Sequence, residues 1–232
     1  VWAELEVQPA AWVTLRSGAR VAGGSVGAPP DPASGSPSVD RNFGAIVGRG
    51  SLTFRPHDVL RLHVNVDQGF RAPNLDDLTS RQQVGPGFQL DNPALEPERT
   101  LTTEVGVRVL HPVVRFDVWG FATTIDQGIQ RSIREGAVCP PETPGCASAR
   151  TTFQLVNATD RSVLLGMEGG LTLALPRDVR VRATASYAYG WGPDLNGGPE
   201  RRPLSRVPPL QGTLQLRWRH RATGLTFGGA LR

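Results

Sequence analysis

The chain has 232 residues, with 27 Gly, 20 Pro and 39% hydrophobic residues, and its 25 basic side chains, all arginine, stand against 21 acids for a net charge of +4. No window approaches the roughly 18 consecutive apolar residues of a membrane-crossing helix, which leaves strands of about 9 to 11 residues as the way across a bilayer. The arginines are spread along the chain instead of gathering on one face with stacking aromatics, which argues against nucleic-acid binding.

In chain order, strands are expected at 1–7, 12–22, 44–55, 59–70, 101–110, 113–130, 161–175, 179–190, 209–219 and 224–232. Their common feature is strict alternation, the mark of a strand with unlike faces. Leu60, Leu62, Val64 and Val66 oppose Arg61, His63, Asn65 and Asp67. Val105, Val107 and Val109 oppose Glu104 and Arg108, and Leu165, Met167, Leu171 and Leu173 oppose Glu168 and Thr172. Val179, Val181, Ala183, Ala185, Tyr187 and Tyr189 oppose Arg180, Arg182, Thr184 and Ser186, while Leu214, Leu216 and Trp218 oppose Gln215, Arg217 and Arg219. Helical periodicity is nearly absent.

Connections alternate in length. Short, turn-rich links fall at 55–58, 110–113, 175–178 and 220–224, and long ones at about 23–43, 71–100, 131–160 and 190–208. In an antiparallel up-and-down sheet this gathers the short turns at one end and the long loops at the other, the polarity of an outer-membrane β-barrel. A soluble antiparallel sheet with one wet face also alternates, but strands of 10 to 12 residues exceed the usual five or six. The expected fold is therefore all-β, an antiparallel up-and-down transmembrane barrel. Its apolar face would meet lipid. Trp218 would lie near the short-turn boundary, and Tyr187 and Tyr189 near the other, as aromatic girdles do. The polar face, with Arg16, Arg20, Arg49, Arg61, His63, Asp67, Glu104, Arg108, Arg115, Asp117, Glu168, Arg180, Arg182, Arg217 and Arg219, would line the lumen. Ten strands alone would leave two unpaired edges in lipid, so a parent of about 22 strands is expected, with residues 1–232 forming one piece of the barrel domain. The chain opens on Val1 without a charged-then-apolar leader and stops inside an apparent strand, which also reads as a fragment.

Cys139 and Cys146 flank the turn-rich PPETPG, and a disulfide there implies an oxidising compartment. Zinc would want four ligands, and His57, His63, His111 and His220 are scattered. No cofactor, metal site or nucleophile–base set is expected. The sequon Asn157-Ala158-Thr159 is read as chance in a bacterial envelope protein.

The segments QGFRAPNLDDL and DNPALEPERTLTTEVGV resemble the paired boxes of TonB-dependent outer-membrane receptors through Phe70, Arg71, Ala72, Pro73, Asn74 and Leu78, then Asn92, Pro93, Leu95, Pro97, Glu98 and Glu104. LVNATDRSVLLGMEGG is similar to that family's N…GxE segment at Asn157, Gly166 and Glu168, and RPLSRVPPLQG to its PL…PP…G segment at Pro203, Leu204, Pro208, Pro209 and Gly212. Pro73 and Pro93 lack a ladder donor and should release the chain from the wall into a shaped outer loop. The box residues then fix loop geometry or face ligand, and Glu98 and Glu104 are candidates to pair with Arg71 or Arg108.

The resemblance implies active uptake across the Gram-negative outer membrane by a monomeric barrel. A plug domain, missing from this chain, would couple it to TonB, and the cargo would be a small molecule or metal chelate such as a ferric siderophore, with cobalamin or an oligosaccharide as other classes. Haem receptors of the family carry a histidine between the first two boxes, and residues 74–91 contain none. A passive porin and an adhesin-like soluble domain are the rival readings.

Overall fold

In the computed structural model, all residues are described except 34, 86, 135–138, 140–144, 147, 148, 150, 197 and 199, so most of the PPETPG turn lies outside the described residues. Ten strands form one antiparallel wall: β1 (Trp2–Ala10), β2 (Val13–Ala28), β3 (Val39–His57), β4 (Leu60–Arg71), β7 (Glu98–Leu110), β8 (Val114–Asp126), β11 (Ser162–Leu175), β12 (Val179–Pro193), β14 (Gln211–Arg219) and β15 (Thr226–Leu231). They neighbour one another in that order, and β13 (Arg201–Pro203) extends the pairing at the end of β12. No helix is long and apolar enough to cross a membrane.

The register shows why alternation is the organising rule. Leu15, Leu52, Val64, Val105, Gly120, Met167 and Tyr187 follow one another across seven strands as direct partners on one face. On the other face run Arg49, Asp67, Thr102 and Thr123, and below them Arg61, Arg108, Asp117, Gly170, Thr184 and Thr213. The apolar face is open to its surroundings, with Val105 56%, Met167 55% and Leu216 55% exposed. A face of that kind is tolerable only against a nonaqueous phase or a partner. Aromatic contacts sit at its two rims. Trp12 meets Phe54 at 5.3 Å and Trp218 stacks on Phe227 at 5.7 Å beside the short turns, and Tyr189 meets Trp191 at 5.7 Å toward the loops.

Several expected boundaries are corrected. β2 and β3 stay paired up to Ala28 and Val39, well past residues 22 and 44, because the Gly-rich stretch continues the ladder although it lacks alternating hydrophobicity. The expected strand 113–130 is two strands in two sheets. It breaks at Gln127, which takes a left-handed φ of 57°, and the chain resumes as β9 (Ile129–Ile133). The loops 71–100 and 131–160 carry structure of their own: helix α1 (Leu75–Thr79), β5 (Gln82–Val84), β6 (Gly87–Leu90) and β10 (Thr152–Asn157). With β9 these strands form a second sheet ordered β5-β6-β10-β9, in which β6 and β10 are parallel.

Candidate functional site

The site begins where β4 leaves the wall. Pro73 offers no N–H, and its side chain is fully buried. The next residue, Asn74, caps α1 reciprocally: its Oδ1 accepts from the Asp77 N–H at 2.8 Å, and Asp77 Oδ2 accepts from the Asn74 N–H at 3.1 Å. The Arg71 guanidinium donates to Asp77 at 2.9 Å and also to Glu98, its cross-strand partner on β7. Glu98 in turn accepts from the Ile129 N–H at 2.7 Å. One cation and two carboxylates thus tie β4, α1, β7 and β9 together.

Beneath this bracket lies the mouth's apolar core. Leu78 and Leu95 are 0% exposed and pack with Val39 and Phe43, against which Phe70, Ala72, Ile129 and Leu155 also close. The box asparagines meet the backbone demand of the loops. Asn92 accepts from the Ala94 N–H at 3.1 Å and donates to the Leu155 carbonyl at 2.8 Å. Asn157 accepts from the Glu96 N–H at 2.8 Å and donates to the carbonyls of Glu96 and Gln127 at 2.7 and 2.8 Å. Arg41 reaches over to the Pro93 carbonyl at 2.6 Å and to Glu96 at 3.0 Å. A nearly enclosed pair, Arg81 with Asp91 at 2.5 Å, holds the near end of β5.

The wall places its charges differently. Arg16 pairs with Glu6 at 2.5 Å, and Arg49 pairs with Glu4. Arg61, His63, Asp67, Glu104, Arg108, Arg115, Asp117, Glu168, Arg180, Arg182 and Arg217 all share the polar face by register. Glu104 bonds the Asn65 amide at 3.1 Å, not Arg108, because Asn65 stands directly opposite it whereas Arg108 lies four residues along the strand. Thr53 contacts His63 Nδ1 at 3.1 Å, and the His63 ring lies 5.2 Å from that of Trp119. Trp119 covers Gly106 and Phe121 covers Gly166 so closely that a methyl on either glycine would collide with the ring. A recess of about 660 Å³ opens on the polar face among Arg108, Arg115, Asp117, Glu168, Arg182 and Thr184. Among the described residues, no group of three or more His, Cys, Asp or Glu is placed to hold a metal. Cys139 and Cys146 are joined by a disulfide with their Cα atoms 5.8 Å apart, and Cys146 is 1% exposed.

Asp77, Arg41 and the Arg81–Asp91 pair were not singled out in the sequence. Asp77 had a signal, since N-x-x-D ahead of an apolar residue is a capping-box spacing. Arg41 and Arg81 had none, because their carboxylate partners stand 55 and 10 residues further along the chain with no motif linking them.

A wall of this strand length and polarity, with short turns at one end and a braced mouth at the other, defines an outer-membrane-type β-barrel wall. The model of the TonB-dependent receptor-like β-barrel matches residues 1–232, and the chain belongs to that family. The family's barrels lie in the Gram-negative outer membrane, and its members are transporters, not enzymes. No curated protein matches this sequence. Among solved structures, the Serratia marcescens hemophore receptor HasR, as a double mutant with its hemophore HasA and heme, is 20% identical with a TM-score of 0.76, over 100% of this chain and 42% of that one. The copper transporter OprC is 19% identical with a TM-score of 0.73, over 94% and 31%. The siderophore receptor PirA from Pseudomonas aeruginosa is 14% identical with a TM-score of 0.63, over 94% and 36%. The chain thus spans less than half of each of these proteins, and at such identities the likeness is one of fold.

Proposed function

We propose that this chain is part of the barrel of a TonB-dependent receptor that imports a scarce, anionic metal chelate, a ferric siderophore being the chemistry that fits best. The apolar face meets lipid, the polar face lines the lumen, and the braced mouth faces the cell exterior. Energy comes from TonB acting through a plug outside this chain, and a single barrel suffices. The observation that carries this reading is the lumen-side face, on which six arginines, Arg61, Arg108, Arg115, Arg180, Arg182 and Arg217, make no ion pair among the described residues. Guanidinium matches carboxylate and catecholate oxygens in geometry and charge. The box residues at the mouth act in this reading as a frame for the loops, since their polar atoms are occupied by backbone and by one another.

The test is radioactive iron uptake by cells that carry the full-length protein as their sole receptor, with catecholate, hydroxamate and carboxylate chelates offered in turn. Uptake of at least one anionic chelate that stops when TonB is deleted is expected. Passage of small solutes that is indifferent to TonB would show a passive pore instead.

A further inference from the structure

The outward, apolar face of the wall changes character at its mouth end. Arg99 on β7 stands directly opposite Asp126 on β8, on the same face as Val105 and Gly120. Arg161, one residue before β11, donates to both Asp126 carboxylate oxygens, at 2.7 and 3.1 Å. Arg201 on β13 lies opposite Pro193, on the same face as Trp191, and its guanidinium donates to the Arg161 carbonyl at 2.5 Å. The four residues form one row, three cations to one anion, that points away from the lumen. All three arginines are exposed, and Arg99 and Arg201 make no ion pair among the described residues. Below this row, the described outward positions of β7, β8, β11 and β12 are all uncharged.

We infer that this row binds the phosphates of a membrane-lipid headgroup. Depth selects that ligand. Trp191 pairs with Val163 and Tyr189 with Leu165, two and four residues below Arg161. With a rise of about 3.3 Å per residue and a tilt near 40°, the row stands roughly 5 Å above Trp191 and 10 Å above Tyr189. Aromatic rings at a barrel rim mark the edge of the hydrocarbon, and headgroups fill roughly the next 5 to 8 Å. A guanidinium there meets phosphate oxygens with paired, charge-assisted hydrogen bonds. Spacing selects a headgroup with more than one phosphate. Arg99 and Arg201 are four strand steps of about 4.8 Å apart, or roughly 19 Å, with Arg161 between them. One phosphate cannot reach both ends of the row, whereas a headgroup that carries two can bridge it. The inference concerns the outer surface of the wall, not the lumen arginines or the cargo, so it holds or fails separately from the uptake reading.

The test uses the full-length protein purified in a nonionic detergent. It is titrated with diphosphoryl lipid A and, separately, with the dephosphorylated form that carries the same acyl chains, and native mass spectrometry counts the lipids retained. The wild type is expected to hold the diphosphorylated form at least about tenfold more tightly, the effect of roughly one charge-assisted contact. The double variant Arg99→Gln with Arg201→Gln should lose that preference, and Arg99→Gln alone, which breaks no ion pair among the described residues, should lose part of it. Arg177→Gln, in the short turn after β11 at the opposite end of the wall, should keep it. Equal binding of the two lipid forms by the wild type would overturn the inference, as would an unchanged preference in both rim variants. Displacement of the lipid by inorganic phosphate at matched concentration would assign the row to a free anion and overturn it as well.

Discussion

Val64→Arg separates the two faces of the wall. Val64 is the fifth residue of β4 and stands between Leu52 and Val105 on the apolar face. Four steps of about 3.3 Å along a strand tilted near 40° put it about 10 Å above the short-turn end, close to mid-depth of an apolar band roughly 25 Å tall. Arginine at that depth costs about 2 to 4 kcal/mol, so the folded-to-unfolded ratio should fall roughly 30- to 900-fold. The assay is urea titration of the full-length protein folded into phospholipid vesicles, with the folded fraction read from heat-modifiable gel mobility. Asn65→Arg is the control. It lies one residue on, facing Glu104 across the ladder, where an arginine gains a carboxylate and meets no lipid. Equal losses for the two variants would refute the facing assignment and with it the reading of the exposed apolar rows.

Leu95→Ala removes one of two fully enclosed leucines from the mouth core. A loss of about 2 to 5 kcal/mol is expected locally, read as a fall of roughly 30-fold or more in hydrogen-exchange protection across residues 72–97 with the wall amides unchanged; a uniform fall would mean that mouth and wall unfold as one unit. In the short turns, the Arg221 guanidinium holds the Asp178 carboxyl below its ordinary range. The favourable contact is therefore complete above the ordinary carboxylate pKa near 4 and disappears as pH falls through the lowered value. Carboxylate NMR in micelles should show this depressed midpoint, and Arg221→Ala should return it to the ordinary range. A thiol-reactive probe should label Cys139 and Cys146 only after reductant is added, since the two form one bond and Cys146 is buried; labelling beforehand would contradict the disulfide.

The wall was legible in the sequence because each of its strands has to present unlike chemistry to two environments, and a period of two over ten residues is hard to mistake. Where that demand lapses, so did the signal. Residues 23–28 of β2 are Gly-Gly-Ser-Val-Gly-Ala, and there the ladder is kept by backbone pairing alone. The second sheet was hidden for a different reason. Its strands have three to six residues, too few to show a period, and the parallel pairing of β6 with β10 joins segments more than 60 residues apart. The Arg71–Glu98 contact could be read from the adjacency of the two boxes, whereas the choice of Asn65 by Glu104 depends on register, which composition does not carry.

The box residues make sense as the answer to a backbone problem. Pro73 and Pro93 lie where the chain runs off the wall between β4 and β7, and Gln127 breaks it after β8; the N–H groups of Ala94, Glu96 and Ile129 are then met by side-chain oxygens, of Asn92, Asn157 and Glu98. Those oxygens come from two separate boxes, so neither loop can be braced without the other. Part of the mouth's charge is spent on this frame, since Arg41, Arg71 and Arg81 each meet a carboxylate within it. The wall below needs no such bracing, because its ladder already satisfies the backbone, and Arg61, Arg108, Arg115, Arg180, Arg182 and Arg217 make no ion pair among the described residues. On the uptake reading proposed above, the arginines left to meet an anion are those of the wall, and the box residues serve the shape of the rim.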